Sequence, residues 1–146
     1  MSRKQPFTEE EFEFIYSRVP RLCVDLIVKN EQGILLTLRE KHGWIGQWHL
    51  PGCTIHIGET ALDAVSRAAS EELGIKVKVQ KFLGYNEYHS EQKERGYGYS
   101  VSLVFLCIPL DKNITLDSHT SKFEFFKSLP ENTIAEQKEF ISHQDL

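Results

Sequence analysis

Apolar and polar positions follow two different rhythms along the chain, and the changes of rhythm mark its elements. In "FTEEEFEFIYSRV", residues 7–19, Phe12, Ile15, Tyr16 and Val19 recur at helical spacing. Thr8 stands as N-cap with acidic residues in the first turn, so a helix is predicted there. "RLCVDLIVK" and "ILLTLRE" are rich in strand formers, and the "NEQG" between them is a hairpin signal. "KHGWIGQWHLPG" reads as a loop, and "CTIHI" as a short strand. The strongest helix is "TALDAVSRAASEEL", residues 60–73, whose Ala61, Ala64, Val65, Ala68 and Leu73 share a broad apolar arc. Thr60 and Asp63 form a capping box and Gly74 supplies the stop. Two more strand-rich segments, "IKVKVQKFLGYNEYH" and "YGYSVSLVFLCI", flank a polar excursion, "SEQKERG". "FEFFKSL" reads as a late strand and "IAEQKEFISH" as a closing helix.

Most strands in this order follow other strands, which predicts an α+β fold with a mixed central sheet and helices on both sides. A chain of 146 residues without repeats or linkers is expected to form one domain, residues 1–146. With 40% hydrophobic and 26% charged residues it has the composition of a globular protein. A net charge of −4 gives no overall attraction for nucleic acid, so an anionic partner must be held by local basic groups or a metal. Cys23, Cys53 and Cys107 are odd in number and contain no CxxC pair, which points to a reducing compartment. The N-terminus is polar, and the longest apolar run, "VSLVFLCIPL", is far short of the roughly 20 residues that span a bilayer. A cytoplasmic protein with no membrane and no nucleic-acid partner is expected.

The candidate chemistry lies at the end of the central helix. Glu71 and Glu72 occupy its last turn, where the helix dipole disfavours anions. Arg67 is one turn before Glu71, and Glu59 stands in the turn before the helix. Three carboxylates near one end of a loop–helix unit suit a hard cation, Mg²⁺ or Mn²⁺. Such a cation is the usual means by which an acidic site accepts a diphosphate. On spacing alone, a solvated acidic helix end with an Arg67–Glu71 surface pair is the more ordinary reading, since such pairs are common on helix surfaces.

The segment resembles the Nudix box, G-x5-E-x7-R-E-U-x-E-E-x-G-U, with U a bulky aliphatic residue. Glu59, Arg67, Glu71, Glu72, Gly74 and Ile75 fall at the required spacing, and "GQWHLPG" resembles the usual approach to the box. The resemblance implies an α/β/α Nudix sandwich and a divalent-metal hydrolase of a nucleoside diphosphate joined to another group. It assigns metal binding to the Gly52 carbonyl, Glu71 and Glu72, orientation of the glutamates to Arg67, and support to Glu59. Three positions depart from the box: its glycine is Cys53, the glutamate after Arg67 is Ala68, and the next aliphatic is Ala69.

The loss at Ala68 and the leading helix resemble the GDP-mannose mannosyl hydrolase branch, which cuts the sugar C–O bond and leaves the diphosphate intact. By that resemblance Asp25 and Arg39 contact sugar and diphosphate. A Gln-His pair before the last strand supplies a ligand and the base; here His119 falls at or beside that pair and Thr120 stands where the base would align. The leading helix is then a dimer element, implying a homodimer. Two other readings stay open. One is a pyrophosphatase cutting P–O–P with a carboxylate borrowed from Glu87, Glu91 or Glu94; the other is a catalytically weak nucleotide-binding module. Of the remaining candidates, His56 is expected at an exposed strand position and Trp48 in packing against the sheet. Cys53 is expected to be a small buried residue with no cationic partner to activate it.

Overall fold

The computed structural model describes residues 5–115 and 120–146, with backbone alone at 120 and 121. Its centre is β1, Arg21–Asn30. Val24, Leu26, Ile27 and Val28 are fully buried, as a strand covered on both faces requires. β1 runs parallel to β6, Ser100–Pro109, from Arg21↔Ser100 to Val28↔Cys107. β6 pairs in turn with the antiparallel β5, Val77–Glu87. The other edge of β1 is divided. Its start pairs with β4, Gly52–Thr54, through Cys23↔Thr54 and Asp25↔Gly52. Its end turns back into β2, Gly33–Arg39, through Lys29↔Ile34 and Asn30↔Gly33. β2 also pairs antiparallel with β3, Trp48–His49, and with β7, Thr120–Phe126.

Side chains alternate across β1, so its two faces meet different helices. Val24, Leu26 and Val28 pack with Ala64, Val65 and Ala68 of α2, Ala61–Ala68. Ile27 packs on the other side with Leu36, Trp48 and Ile141, the last from α4, Ala135–Ser142. Helices therefore cover a mixed sheet from both sides, the predicted α+β arrangement. The leading helix, α1, spans Glu9–Tyr16 behind a Thr8–Glu11 capping box.

Three local features differ from the sequence expectation. The tryptophan loop contributes β3, because Trp48 and His49 meet Leu38 and Thr37 of β2. The polar excursion holds a short helix, α3, Glu91–Arg95. The central helix does not stay α-helical to its end: α2 stops at Ala68 and a π turn covers Ala69–Leu73. That turn closes on Gly74, whose φ of 65° is left-handed. The Gly74 N–H donates to the Ser70 carbonyl and the Ile75 N–H to the Ala69 carbonyl. Isolated π turns within helices are frequent at functional sites.

A Cβ at Gly74 would sit 3.2 Å from the Thr115 Cβ in addition to the cost of a left-handed backbone. Gly74→Ala is therefore expected to lower stability by about 1–3 kcal/mol in urea unfolding. An unchanged midpoint would show that the left-handed stop is not required.

Candidate active site

The centre of the site is Arg67 near the end of α2. Its Nε donates to Glu59 Oε2 at 2.7 Å, and its Nη2 to Glu59 Oε1 at 3.0 Å and to the Thr54 carbonyl at 2.7 Å. Its Nη1 reaches Glu71 Oε2 at 3.4 Å. Glu59 Oε1 also accepts the His56 N–H at 3.0 Å. The Arg67 hydrogen bonds hold the Glu59 carboxyl down at about 2, and Glu59 raises Arg67 above its already high value. One guanidinium thus ties the box loop to the helix.

The π turn carries the two glutamates. More residues per turn means a smaller angular step, which brings Glu71 and Glu72 closer to one direction than an α-helix would. Glu72 Oε2 accepts the Gly52 N–H at 3.2 Å, and Gly52, Glu71 and Glu72 line one cleft. Gly52 is glycine for a steric reason: an added Cβ would lie 2.3 Å from the Val24 carbonyl oxygen and 2.6 Å from Asp25 Oδ1.

These groups line a cleft of about 700 Å³, large enough for a nucleotide-sized ligand. Arg21, Arg39 and Arg95 line it too, as do Phe12 of α1 and Ala68. A smaller chamber of about 130 Å³ shares Arg39, Gly52 and Glu72 with the cleft and also reaches Asp25. The Asp25 carboxylate accepts the Tyr88 hydroxyl. Gln137 Nε2 donates to Tyr88 Oη at 2.9 Å, and Gln137 Oε1 accepts the Leu50 N–H at 2.7 Å. Burial pushes Asp25 up to about 6, against the hydrogen bonds from Tyr88 and Ser102. Arg39 folds over its own loop, donating from Nε to the Gly43 carbonyl at 2.8 Å and from Nη2 to the His42 carbonyl at 2.8 Å.

Of the predicted site residues, Gly52, Arg67, Glu71, Glu72 and Arg39 line the cleft, with Glu59 directly behind Arg67. Asp25 faces the inner chamber. His119 lies outside the described residues, as does the Thr120 side chain; the Thr120 backbone pairs with Arg39 of β2. His56 is a correction: it is 7% exposed, lies just beyond β4 and lines the cleft, because the loop folds inward to meet Glu59. Trp48 packs edge-on against Phe126, as expected. Trp44 is buried, and its Nε1 donates to Ser90 Oγ at 2.9 Å. Cys53 packs on the core, and burial pushes its thiol up to about 12. Glu87 accepts the Tyr99 hydroxyl, Glu94 accepts from Gln47 at 3.3 Å, and Glu91 pairs with Arg21 and Arg95. None of the three glutamates lines the cleft. Sequence reasoning missed Arg21, Arg95, Tyr88 and Gln137. Their roles depend on contacts between distant segments, and no local pattern announces them.

The donors suit a hard cation. Glu71 Oε1 is buried with no hydrogen-bond partner among the described residues, a cost that ligation would remove. No group of three or more His, Cys, Asp or Glu is placed to hold a metal among those residues. The chain offers two carboxylates and a backbone carbonyl, a partial shell of oxygen of the kind Mg²⁺ completes with water and substrate phosphates.

The sheet thus carries an acidic helix end beside an arginine-lined cleft. The NUDIX domain model matches residues 19–144, and the chain belongs to that family, the Nudix hydrolases. It is 32% identical over 122 residues to the low-salt glycan biosynthesis protein Agl8 of Haloferax volcanii, covering 82% of this chain and 78% of that one. It is also 32% identical over 107 residues to an ADP-ribose pyrophosphatase of Methanocaldococcus jannaschii, covering 73% of this chain and 62% of the relative. Among solved structures, a MutT NUDIX hydrolase from Burkholderia pseudomallei superposes with a TM-score of 0.77 at 20% identity, over 88% of this chain and all of its own, which shows the shared fold.

The Glu59 clamp has a pH signature. Its carboxyl is depressed from an ordinary 4.5 to about 2, so the stability it contributes is complete above pH 4.5 and is lost as pH falls toward 2. Glu59→Gln is expected to unfold more easily at neutral pH and to lose less stability than the parent across that window. Parallel stability–pH curves from urea titrations would overturn the assignment.

Proposed function

We propose that the chain hydrolyses a nucleoside diphosphate sugar of the GDP-mannose kind at the glycosyl C–O bond, with Mg²⁺ or Mn²⁺, releasing nucleoside diphosphate and free sugar. The observation that carries this reading is Ala68. The position beside Arg67 that bears a carboxylate in the box bears a methyl group here, on the cleft lining and 1% exposed. Glu87, Glu91 and Glu94, which could replace that carboxylate, are engaged elsewhere. The site is therefore short of a carboxylate base beside the metal ligands for attack at phosphorus, whereas C–O cleavage uses the held diphosphate as a leaving group and takes its base from a separate segment. The glycan-biosynthesis name of the Haloferax relative supports a sugar substrate.

In this reading Gly52, Glu71 and Glu72 hold the cation, and Arg67 fixes the glutamates. When bound, the cation withdraws charge from the diphosphate and so improves it as a leaving group. Arg39 contacts the diphosphate, and Asp25 meets the sugar from the inner chamber. A base from the segment of His119 and Thr120 takes a proton from water as its oxygen bonds to the sugar carbon. The C–O bond breaks with its electron pair on the diphosphate oxygen. The reading further takes residues 1–146 as one cytoplasmic domain with small-molecule substrates. It makes α1, whose Phe14 is 61% exposed, the element of a homodimer.

The test is product analysis. With Mg²⁺ and a panel that includes GDP-mannose and ADP-ribose, ion exchange should resolve nucleoside diphosphate as the product. Glu72→Gln should lose more than the roughly 10–100-fold typical of outer ligand partners, and with it Mg²⁺-dependent thermal stabilisation. Nucleoside monophosphate with sugar phosphate would replace C–O by P–O cleavage. Turnover no greater than that of Glu72→Gln, with ligand binding retained, would leave a binding module.

A further inference from the structure

We propose that Arg21 and Arg95 form an anion subsite of the cleft that holds a phosphate of the substrate without help from the metal. The proposal rests on the reading of the cleft as a nucleoside diphosphate site. It adds residues that no part of the Nudix box supplies, since Arg21 opens β1 and Arg95 closes α3.

The two arginines are assembled around one carboxylate. Glu91 is 1% exposed, and its Oε2 lies 3.6 Å from Arg21 Nη2 and 3.4 Å from Arg95 Nε. Arg21 Nη1 donates to Thr54 Oγ1 at 2.7 Å, which ties it to the strand that carries Gly52. The Phe12 ring of α1 lies 5.5 Å from one guanidinium carbon and 5.4 Å from the other, so an aromatic face holds both. Both arginines line the cleft together with Glu71, Glu72 and Arg39.

Among the described residues Arg21 and Arg95 share a single ion-pair partner. A purely structural pair of buried arginines would be expected to find a carboxylate each. Among the described residues the ion pairs of Arg21 and Arg95 go to Glu91 alone, and Arg39 is held by backbone carbonyls. The Nε atoms of Arg21 and Arg95 are buried with no hydrogen-bond partner there. Burial lowers Arg39 to about 10, with Arg95 the next cause, and lowers Arg95, with Arg21 the next cause. Arg39 and Arg95 each sit beside another guanidinium, and an anion among them would offset that repulsion. Planar guanidinium forks match the oxygens of a phosphate.

The experiment is calorimetric titration of the full chain in EDTA with inorganic pyrophosphate and with a nucleoside diphosphate. The parent is expected to bind both without metal. Arg95→Gln should weaken binding roughly tenfold or more and Arg95→Lys should lose less, whereas Glu72→Gln, which removes a negative charge from the cleft, should bind at least as tightly as the parent without metal. In turnover with Mg²⁺, Arg95→Lys should raise KM with kcat nearly unchanged. If Arg95→Gln does not fold, Arg95→Lys decides by the same two readouts. No metal-free binding by the parent, or affinity and KM unchanged in the folded variants, overturns the subsite. Hydrolysis with an unchanged KM in Arg95→Gln would sink the subsite and leave the hydrolase reading standing. Pyrophosphate binding lost in Arg95→Gln, in a chain that hydrolyses nothing, would do the reverse.

Discussion

Arg67 makes four hydrogen bonds, to Glu59 twice, to the Thr54 carbonyl and to Glu71. The rest of the site depends on that guanidinium. Its side chain is 10% exposed and that of Glu59 is 9% exposed, so neither charge is solvated enough to stand alone. Breaking such a pair on one side typically costs about 3–5 kcal/mol, because the surviving charge is left uncompensated. The bidentate geometry also fixes direction. It fastens the loop after β4 to α2, and it takes one oxygen of Glu71 while leaving the other buried and unsatisfied among the described residues. A helix end that binds nothing would gain by turning Glu71 outward. Arg67 prevents this, and so keeps a ligand-ready carboxylate at the electrostatically unfavourable end of a helix.

The sheet gives this clamp a floor with two sides. Because side chains alternate along β1, Val24 and Leu26 go under α2 while Asp25 goes to the opposite face, where it accepts from Tyr88, whose hydroxyl is in turn held by Gln137. Gly52, which has no side chain, is paired with Asp25 of β1 and lines both the cleft and the inner chamber. The same absence allows the backbone of Gly52 to reach Glu72. A single strand register therefore decides which carboxylates face the helix end and which face the interior.

Much of this was legible in the sequence, and the limits have physical reasons. Capping boxes at Thr8 and Thr60 and the Gly74 stop marked helix ends because capping is local chemistry. The box spacing marked Glu59, Arg67, Glu71 and Glu72 because one loop–helix unit carries them all. The π turn was not legible, since Ala69–Leu73 has ordinary helix-forming residues and its conformation follows from the close beyond it at Gly74. His56 was expected outside, because a strand pattern cannot show a loop folding back on Glu59. Arg21 and Arg95 were missed for a similar reason. They are 74 positions apart in sequence, and only the parallel pairing of β1 with β6 brings the segments around them together. Glu91 and Glu94 looked like spare carboxylates in a polar excursion, yet α3 commits Glu91 to those arginines.

Charge accounting joins the two ends of the cleft. In the proposed reading Glu71 and Glu72 together offset one divalent cation, and the methyl group of Ala68 leaves no carboxylate at position 68 to offset a second. In the proposed reading the charge of the diphosphate then has to be met by the arginines, and Arg21, Arg39 and Arg95 outnumber the one buried carboxylate paired among them. A site with more metal and fewer arginines would concentrate positive charge at the bridging phosphorus atoms, which favours attack there. Spreading the compensation over guanidinium groups holds the whole diphosphate as a unit. That arrangement suits a reaction in which the diphosphate departs intact and the bond that breaks lies at its edge.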